Sequence, residues 1–150
     1  MRASFQILVI PFKKNINQIK VAIFKRKDSL NWQFIAGGGE KNETLLKAAK
    51  RESYEEANIK SSLPFFRLST ISSIPRNNFK DYHNWNNNIY VIPEYCFAVE
   101  IVGNSISLSK EHSEYKWVSI KEAQTILCWD SNKTALWELE ERIKSNDLIL

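Results

Sequence analysis

The segment "GGGEKNETLLKAAKRESYEEANI", Gly37 to Ile59, constrains this chain more than any other. It opens on three of the chain's four glycines and carries five glutamates. Thr44 to Ala57 is dominated by Leu, Ala, Lys and Glu and contains neither Pro nor Gly, which predicts a helix. Asn58 tolerates the left-handed conformation that ends one. Leu45 or Leu46, Ala49, Ser53 and Ala57 form the stripe that docks on a sheet, and Glu52, Glu55 and Glu56 project together beside it. The glycines read as a turn that brings backbone close to a ligand or a metal. Like-charged neighbours cost roughly a few tenths of a kcal/mol per pair. Pairing by Lys47, Lys50 and Arg51 on a solvated face is one way to relieve that cost, and a hard divalent cation is the other. Oxygen-only ligands suit Mg²⁺ or Mn²⁺ and do not suit Zn²⁺. Glu43 and Arg51 lie eight positions apart, just over two turns, so a salt bridge between them can brace loop against helix.

Around this segment the pattern alternates between strand and helix. "FQILVIPF", "IKVAIFKRK", "NWQFIA", "PFFRLSTISSI", "VIPEYCFAVEIV" and "EYKWVS" read as strands, the first two as a hairpin. Residues 75 to about 90 form a polar, aromatic-studded loop. Ser119 with Glu122 fits a capping box for a helix through Leu127. Asp130 or Ser131 can cap a final helix to about Ser145, with Ala135, Leu136, Leu139 and Ile143 on its inner face. The whole is mixed α/β, with a largely antiparallel or mixed sheet covered on both faces.

The acidic segment resembles the Nudix box, G-x5-E-x7-R-E-U-x-E-E-x-G-U, where U is a bulky aliphatic residue. Gly37, Glu43, Arg51, Glu52, Glu55, Glu56 and Ile59 match it. Ser53 departs at the first aliphatic position and leaves a hydroxyl in need of a partner; Asn58 departs at the last glycine. The resemblance implies an α/β/α sandwich with a mixed sheet between helices, one Nudix hydrolase domain over residues 1–150, and Mg²⁺-dependent attack of water on phosphorus, with Mn²⁺ as a substitute. It further implies metal binding by Glu52 and Glu56, with Glu55 as a ligand or base and the Gly37 carbonyl as a further ligand. Glu43 and Arg51 would be structural braces.

The similarity extends beyond the box. "KVAIFKRKDSLNWQFIAGGGE" and "SKEHSEYKWVSIKEA", followed by "WDSNKTALWELE", resemble the bacterial branch of the family that includes dihydroneopterin triphosphate pyrophosphatase. By that resemblance Glu111 completes the catalytic metal site, with Glu114 the competing acid and His112 a loop neighbour. Lys25 and Arg26 occupy the place of paired arginines. Strand alternation sends them to opposite faces, so at most one reaches a phosphate. Arg2 is a further phosphate candidate, Trp32 a core residue, and Cys128 and Trp129 candidates to line a base or pterin pocket. The activity implied is cleavage of a nucleoside or pterin triphosphate to the monophosphate and pyrophosphate. The alternatives are an ADP-ribose or nucleotide-sugar pyrophosphatase, for which Pro75 is the cue, and a non-catalytic nucleotide- or RNA-binding module.

Composition narrows the classes. At 150 residues the chain is long enough for a sizeable core. A formal charge of +4 without a dense basic stripe argues against nucleic acid as a partner. The N-terminal apolar run is cut by Pro11 and Lys13 and is too short to span a membrane. Two distant cysteines, Cys96 and Cys128, show neither metal spacing nor a disulfide framework, so a reducing cytoplasmic setting is expected. Oligomeric state is left open between monomer and homodimer.

Overall fold

The protein is described by a computed structural model covering residues 2–79, 82–103 and 106–148. Lys80 and Asp81 of the expected polar loop lie outside the described residues. The elements are β1 (Arg2–Lys14), β2 (Ile19–Arg26), β3 (Trp32–Gln33), β4 (Ile35–Glu40), α1 (Leu45–Ala57), β5 (Phe65–Pro75), β6 (Val91–Glu100), β7 (His112–Ser119), α2 (Ile120–Ile126) and α3 (Asp130–Lys144). β1 organises the sheet. One of its edges pairs with β6 in parallel, Gln6 opposite Glu94 through Phe12 opposite Glu100. The other edge is divided between β4 and β2, both antiparallel. β2 goes on to pair with β3 and β7, and β5 closes the far side against β6. The sheet is therefore mixed.

Alternation along the strands sends apolar side chains to both faces. Leu8, Ile10 and Phe12 meet Cys96, Ala98 and the inner faces of α2 and α3, including Ala123, Ala135, Leu136 and Leu139. Ile7 and Val9 meet Phe97, Val99 and the small residues Ala48, Ala49 and Ala57 of α1. Helices thus cover both faces, α1 on one and α2 with α3 on the other. Thr44 caps α1 by accepting from the Lys47 N–H at 3.2 Å. Asn58 ends it at φ 56°, ψ 33°, the left-handed stop expected of it. Leu46 is exposed and Leu45 packs inward.

Two expectations need correction. The glycines do not form a turn: Gly37, Gly38 and Gly39 lie in β4, extended and paired with β1. What they provide is space. A methyl group at Gly37 would overlap the Glu52 carboxylate, one at Gly38 the Arg2 guanidinium, and one at Gly39 the Phe5 ring. Neither Asp130 nor Ser131 caps α3, whose N-cap is Trp129 with no side-chain cap bond. Ser119 does cap α2, accepting from the Glu122 N–H at 3.1 Å.

Candidate functional site

A cavity of about 990 Å³ opens where β1, β4, the end of β2 and the start of α3 meet. Its lining includes Glu52 and Glu111, the arginines Arg2 and Arg26, the backbone of Gly37 and Gly38, and Glu94, Trp129 and Ser131. The size is that of a pocket for a drug-sized or nucleotide-sized ligand.

Arg51 arranges the acidic end. Its Nε donates to Glu43 Oε2 at 2.8 Å and its Nη2 to Glu43 Oε1 at 3.0 Å and to the Gly38 carbonyl at 2.8 Å. Its Nη1 donates to Glu52 Oε1 at 2.9 Å and Glu55 Oε2 at 3.2 Å. Glu43 in turn accepts from the Glu40 N–H at 2.9 Å. One guanidinium therefore ties β4, the loop after it and α1 together. The Arg51 bonds hold Glu43 below the usual carboxylate range. Glu52 is pushed up, because burial outweighs Arg51 and the charges of Glu55 and Glu111 add to it.

Glu56 is the buried acid of the helix. It is only 3% exposed, and neither carboxylate oxygen has a hydrogen-bond partner. Burial first, then Glu52 and Glu111, drives its pKa well above the ordinary value; Arg26 and the nearby Ala36 N–H only soften this. Its nearest cationic candidate is His112 Nε2 at 3.8 Å. Burial and Arg26 lower the pKa of that imidazole, however, and both of its nitrogens are also unpartnered. A buried carboxylate without donors is costly unless something positive satisfies it. Among the described residues no three His, Cys, Asp or Glu side chains form a ready-made metal cage. The donor set nevertheless fits a hard cation: Mg²⁺ takes one or two carboxylates, keeps waters, and draws the rest from substrate phosphates. The orphaned Glu56 oxygens and the space left by Gly37 beside Glu52 are the features that fit it.

Glu111 reaches this region through the unsatisfied C-terminal carbonyls of α1. The Ser107 N–H donates to the Ala57 carbonyl at 3.1 Å and the Ser109 N–H to the Glu56 carbonyl at 3.0 Å, while the Lys27 N–H donates to the Glu111 carbonyl at 3.1 Å. The connection before β7 is thereby pinned on the end of α1 and the end of β2. Glu114, three residues on, pairs instead with Lys25 at 3.7 Å.

The remaining residues singled out in the sequence divide. Arg26 lines the cavity, with Nε and Nη2 each 2.8 Å from the Asp28 carboxylate, which this pairing holds at about 2. Arg2 lines it too, donating to Gln6 Oε1 at 2.8 Å and lying over the Phe79 ring. Trp129 lines the rim. Lys25, Glu55 and Cys128 are not in the lining; Glu55 is half-exposed and held by Arg51. Trp32 packs against the core. Glu94 was not anticipated as a site residue, yet its signal was present. In "VIPEYCFAVEIV" alternation puts Glu94 on the same face as Cys96 and Ala98, a charge where the core pattern asks for an apolar residue.

No helix among the described residues is long and apolar enough to cross a membrane. Residues 3–137 match the model of the NUDIX domain family. The chain is 29% identical over 135 residues to the dihydroneopterin triphosphate diphosphatase of Haemophilus influenzae, covering 87% of this chain and 83% of that protein. Its fold superposes on a Listeria monocytogenes structure assigned to the NUDIX hydrolases with a TM-score of 0.87 at 45% identity, covering 99% of each chain. It also superposes on the Escherichia coli dihydroneopterin triphosphate pyrophosphohydrolase with a TM-score of 0.75 at 23% identity, covering 93% of this chain and 97% of that one, a likeness of fold alone.

Proposed function

This chain belongs to the Nudix family, as a Nudix hydrolase with the α/β/α sandwich of that family, and we propose that it is an Mg²⁺-dependent pyrophosphohydrolase that cleaves a pterin or nucleoside triphosphate to the monophosphate and pyrophosphate. The observation that carries this reading is the buried Glu56 carboxylate, without a hydrogen-bond partner and coupled to Glu52 and Glu111, the two acids that line a cavity roomy enough for a ring, a sugar or side chain, and three phosphates; Glu56 itself is not in the lining. The Haemophilus relative, named for dihydroneopterin triphosphate, supports the pterin class.

Glu52 and Glu56 would hold the cation, with the Gly37 carbonyl as a further oxygen donor. A divalent ion supplies charge neutralisation on the phosphate oxygens and a more acidic attacking water. The other work falls to the chain. Arg51 keeps Glu52 in place through the bond to its Oε1. Arg26, aimed by Asp28, and Arg2, steadied by Gln6, bind the phosphate chain. Of the two acids available to take the proton of the attacking water, Glu111 lines the cavity and Glu55 does not, which favours Glu111. Water attacks phosphorus, the phosphoanhydride bond breaks, and pyrophosphate leaves with the bonding electron pair. Both free cysteines suit a reducing compartment, and we place the protein in the cytoplasm.

The test is a turnover screen over pterin and nucleoside triphosphates, ADP-ribose and nucleotide sugars, with Mg²⁺ or EDTA. Inorganic phosphate should appear from triphosphates only after inorganic pyrophosphatase is added, and only with the metal. Release of AMP from ADP-ribose alone would replace this reading with the ADP-ribose one, and no turnover of any substrate would point to a binding module.

A further inference from the structure

One carboxylate in the cavity lining, Glu94, has no part in the chemistry above. Glu94 sits on β6, directly opposite Gln6 on β1 and Ser72 on β5, with its side chain toward the start of α3. It is 3% exposed and its Oε1 has no partner. Two neighbouring amide oxygens are engaged elsewhere. Gln6 Oε1 accepts from Arg2, and Asn132 Oδ1 accepts from the Phe34 N–H at 2.8 Å. The amide of Asn132 donates to Ser131 Oγ at 3.2 Å, so the Ser131 hydroxyl hydrogen is available to Glu94. An oxygen that accepts from Asn132 and donates to Glu94 favours the carboxylate form, while burial pushes Glu94 up to about 7. In its carboxylate form Glu94 is an acceptor-only group, buried and lining the cavity. A buried acceptor with an unpartnered oxygen is costly unless something supplies donors.

We propose that Glu94 is the specificity residue for the ring: it accepts the ring N–H and the neighbouring exocyclic NH₂ of a 2-amino-4-oxo heterocycle, the edge shared by pterins and guanine. Two parallel donors match the two oxygens of a carboxylate, as guanidinium does. Adenine offers a donor beside an acceptor, which would place a ring nitrogen lone pair against a carboxylate oxygen. Trp129 lines the same cavity and offers an indole to a ring bound there. This inference rests on the triphosphate reading of the same site and names its substrate class.

The experiment compares GTP with ITP, which differ only in the exocyclic amino group, and both with ATP. The wild type should favour GTP over ITP by about tenfold or more in kcat/KM, the range for losing a hydrogen bond to a charged group. ATP should be poorer still. Glu94→Gln is nearly isosteric and presents an NH₂ to one of the ring donors, so the GTP:ITP ratio should fall to about one or below and ATP should improve relative to GTP. A change of ratio is not expected from a merely structural role. The inference is overturned if the wild type treats GTP and ITP alike, if it prefers ATP, or if Glu94→Gln lowers all three equally. Should the wild type hydrolyse no triphosphate, the proposed function fails, and calorimetry with GMP and IMP in EDTA still decides the role of Glu94. Tighter GMP binding that Glu94→Gln abolishes supports it, and equal binding of GMP and IMP overturns it.

Discussion

Severing Arg51 from Glu43 should cost stability in a way that reveals coupling. The pair is bidentate at 2.8 and 3.0 Å, with Glu43 13% and Arg51 26% exposed at the side chain. Exposed ion pairs contribute about 0.2–1 kcal/mol, and hydrogen bonds to charged groups about 1.5–3 kcal/mol. At this intermediate burial the expected coupling is about 2 kcal/mol. Arg51→Met should be the costlier single change, about 3 kcal/mol, because it also strands the Gly38 carbonyl and deprives Glu52 and Glu55 of their cation. Glu43→Gln keeps an acceptor for the Glu40 N–H and should cost less. The assay is urea denaturation of the wild type, both single variants and the double variant, with activity measured in parallel. Single losses that add to within about 0.5 kcal/mol in the double variant would refute the brace.

Other consequences are as specific. Gly37→Ala puts a methyl group where the Glu52 carboxylate now lies; because that carboxylate is the end of a movable side chain, stability should change by about 1 kcal/mol or less while turnover falls at least tenfold. Glu111→Gln should lower kcat by about a hundredfold or more with the fold intact, whereas Glu114→Gln, which removes only the Lys25 pair, should be mild; the reverse order would move the role to Glu114. Glu138 on α3 accepts from the Ser69 N–H at 2.6 Å, the Thr70 N–H at 2.7 Å and Arg142 Nε at 2.7 Å. Burial pushes its pKa up, but these donors prevail and hold it below the ordinary value. Its contribution is therefore fully present above the unfolded-state carboxylate pKa and lost as pH falls through the folded one. The stability gap between the wild type and Glu138→Gln should be flat near neutral pH and close in acid; a gap that widens in acid would contradict this assignment.

The sequence was most legible where local chemistry decides structure. The α1 boundaries followed from Thr44, the Leu, Ala, Lys and Glu content, and Asn58. The strand segments followed from β-branched runs, and the inner face of α3 from Ala135, Leu136 and Leu139. The misreadings have one cause, which is that long-range contacts do not show in local pattern. A glycine run usually signals a turn, but here the packing of Glu52, Arg2 and Phe5 against β4 demands small residues in an extended strand. Ser131 has the chemistry of a cap but stands beside Glu94, a neighbour distant in sequence. Position 58 tolerates Asn because its φ is positive, as expected. At position 53 the serine in the aliphatic place is fully buried and its hydroxyl has no partner.

The most direct test of the central claim is manganese binding to the wild type and to Glu56→Gln, followed by electron paramagnetic resonance of the free ion and paired with thermal melts in EDTA. Burial and the neighbouring Glu52 and Glu111 disfavour the charged form of Glu56, so replacing it with a neutral amide should leave the metal-free protein as stable as the wild type or more so. The same change should weaken the site at least tenfold and reduce turnover by orders of magnitude. Unchanged manganese affinity with near-normal turnover in Glu56→Gln would contradict the account, because the acidic helix would then be gathered for something other than a divalent cation.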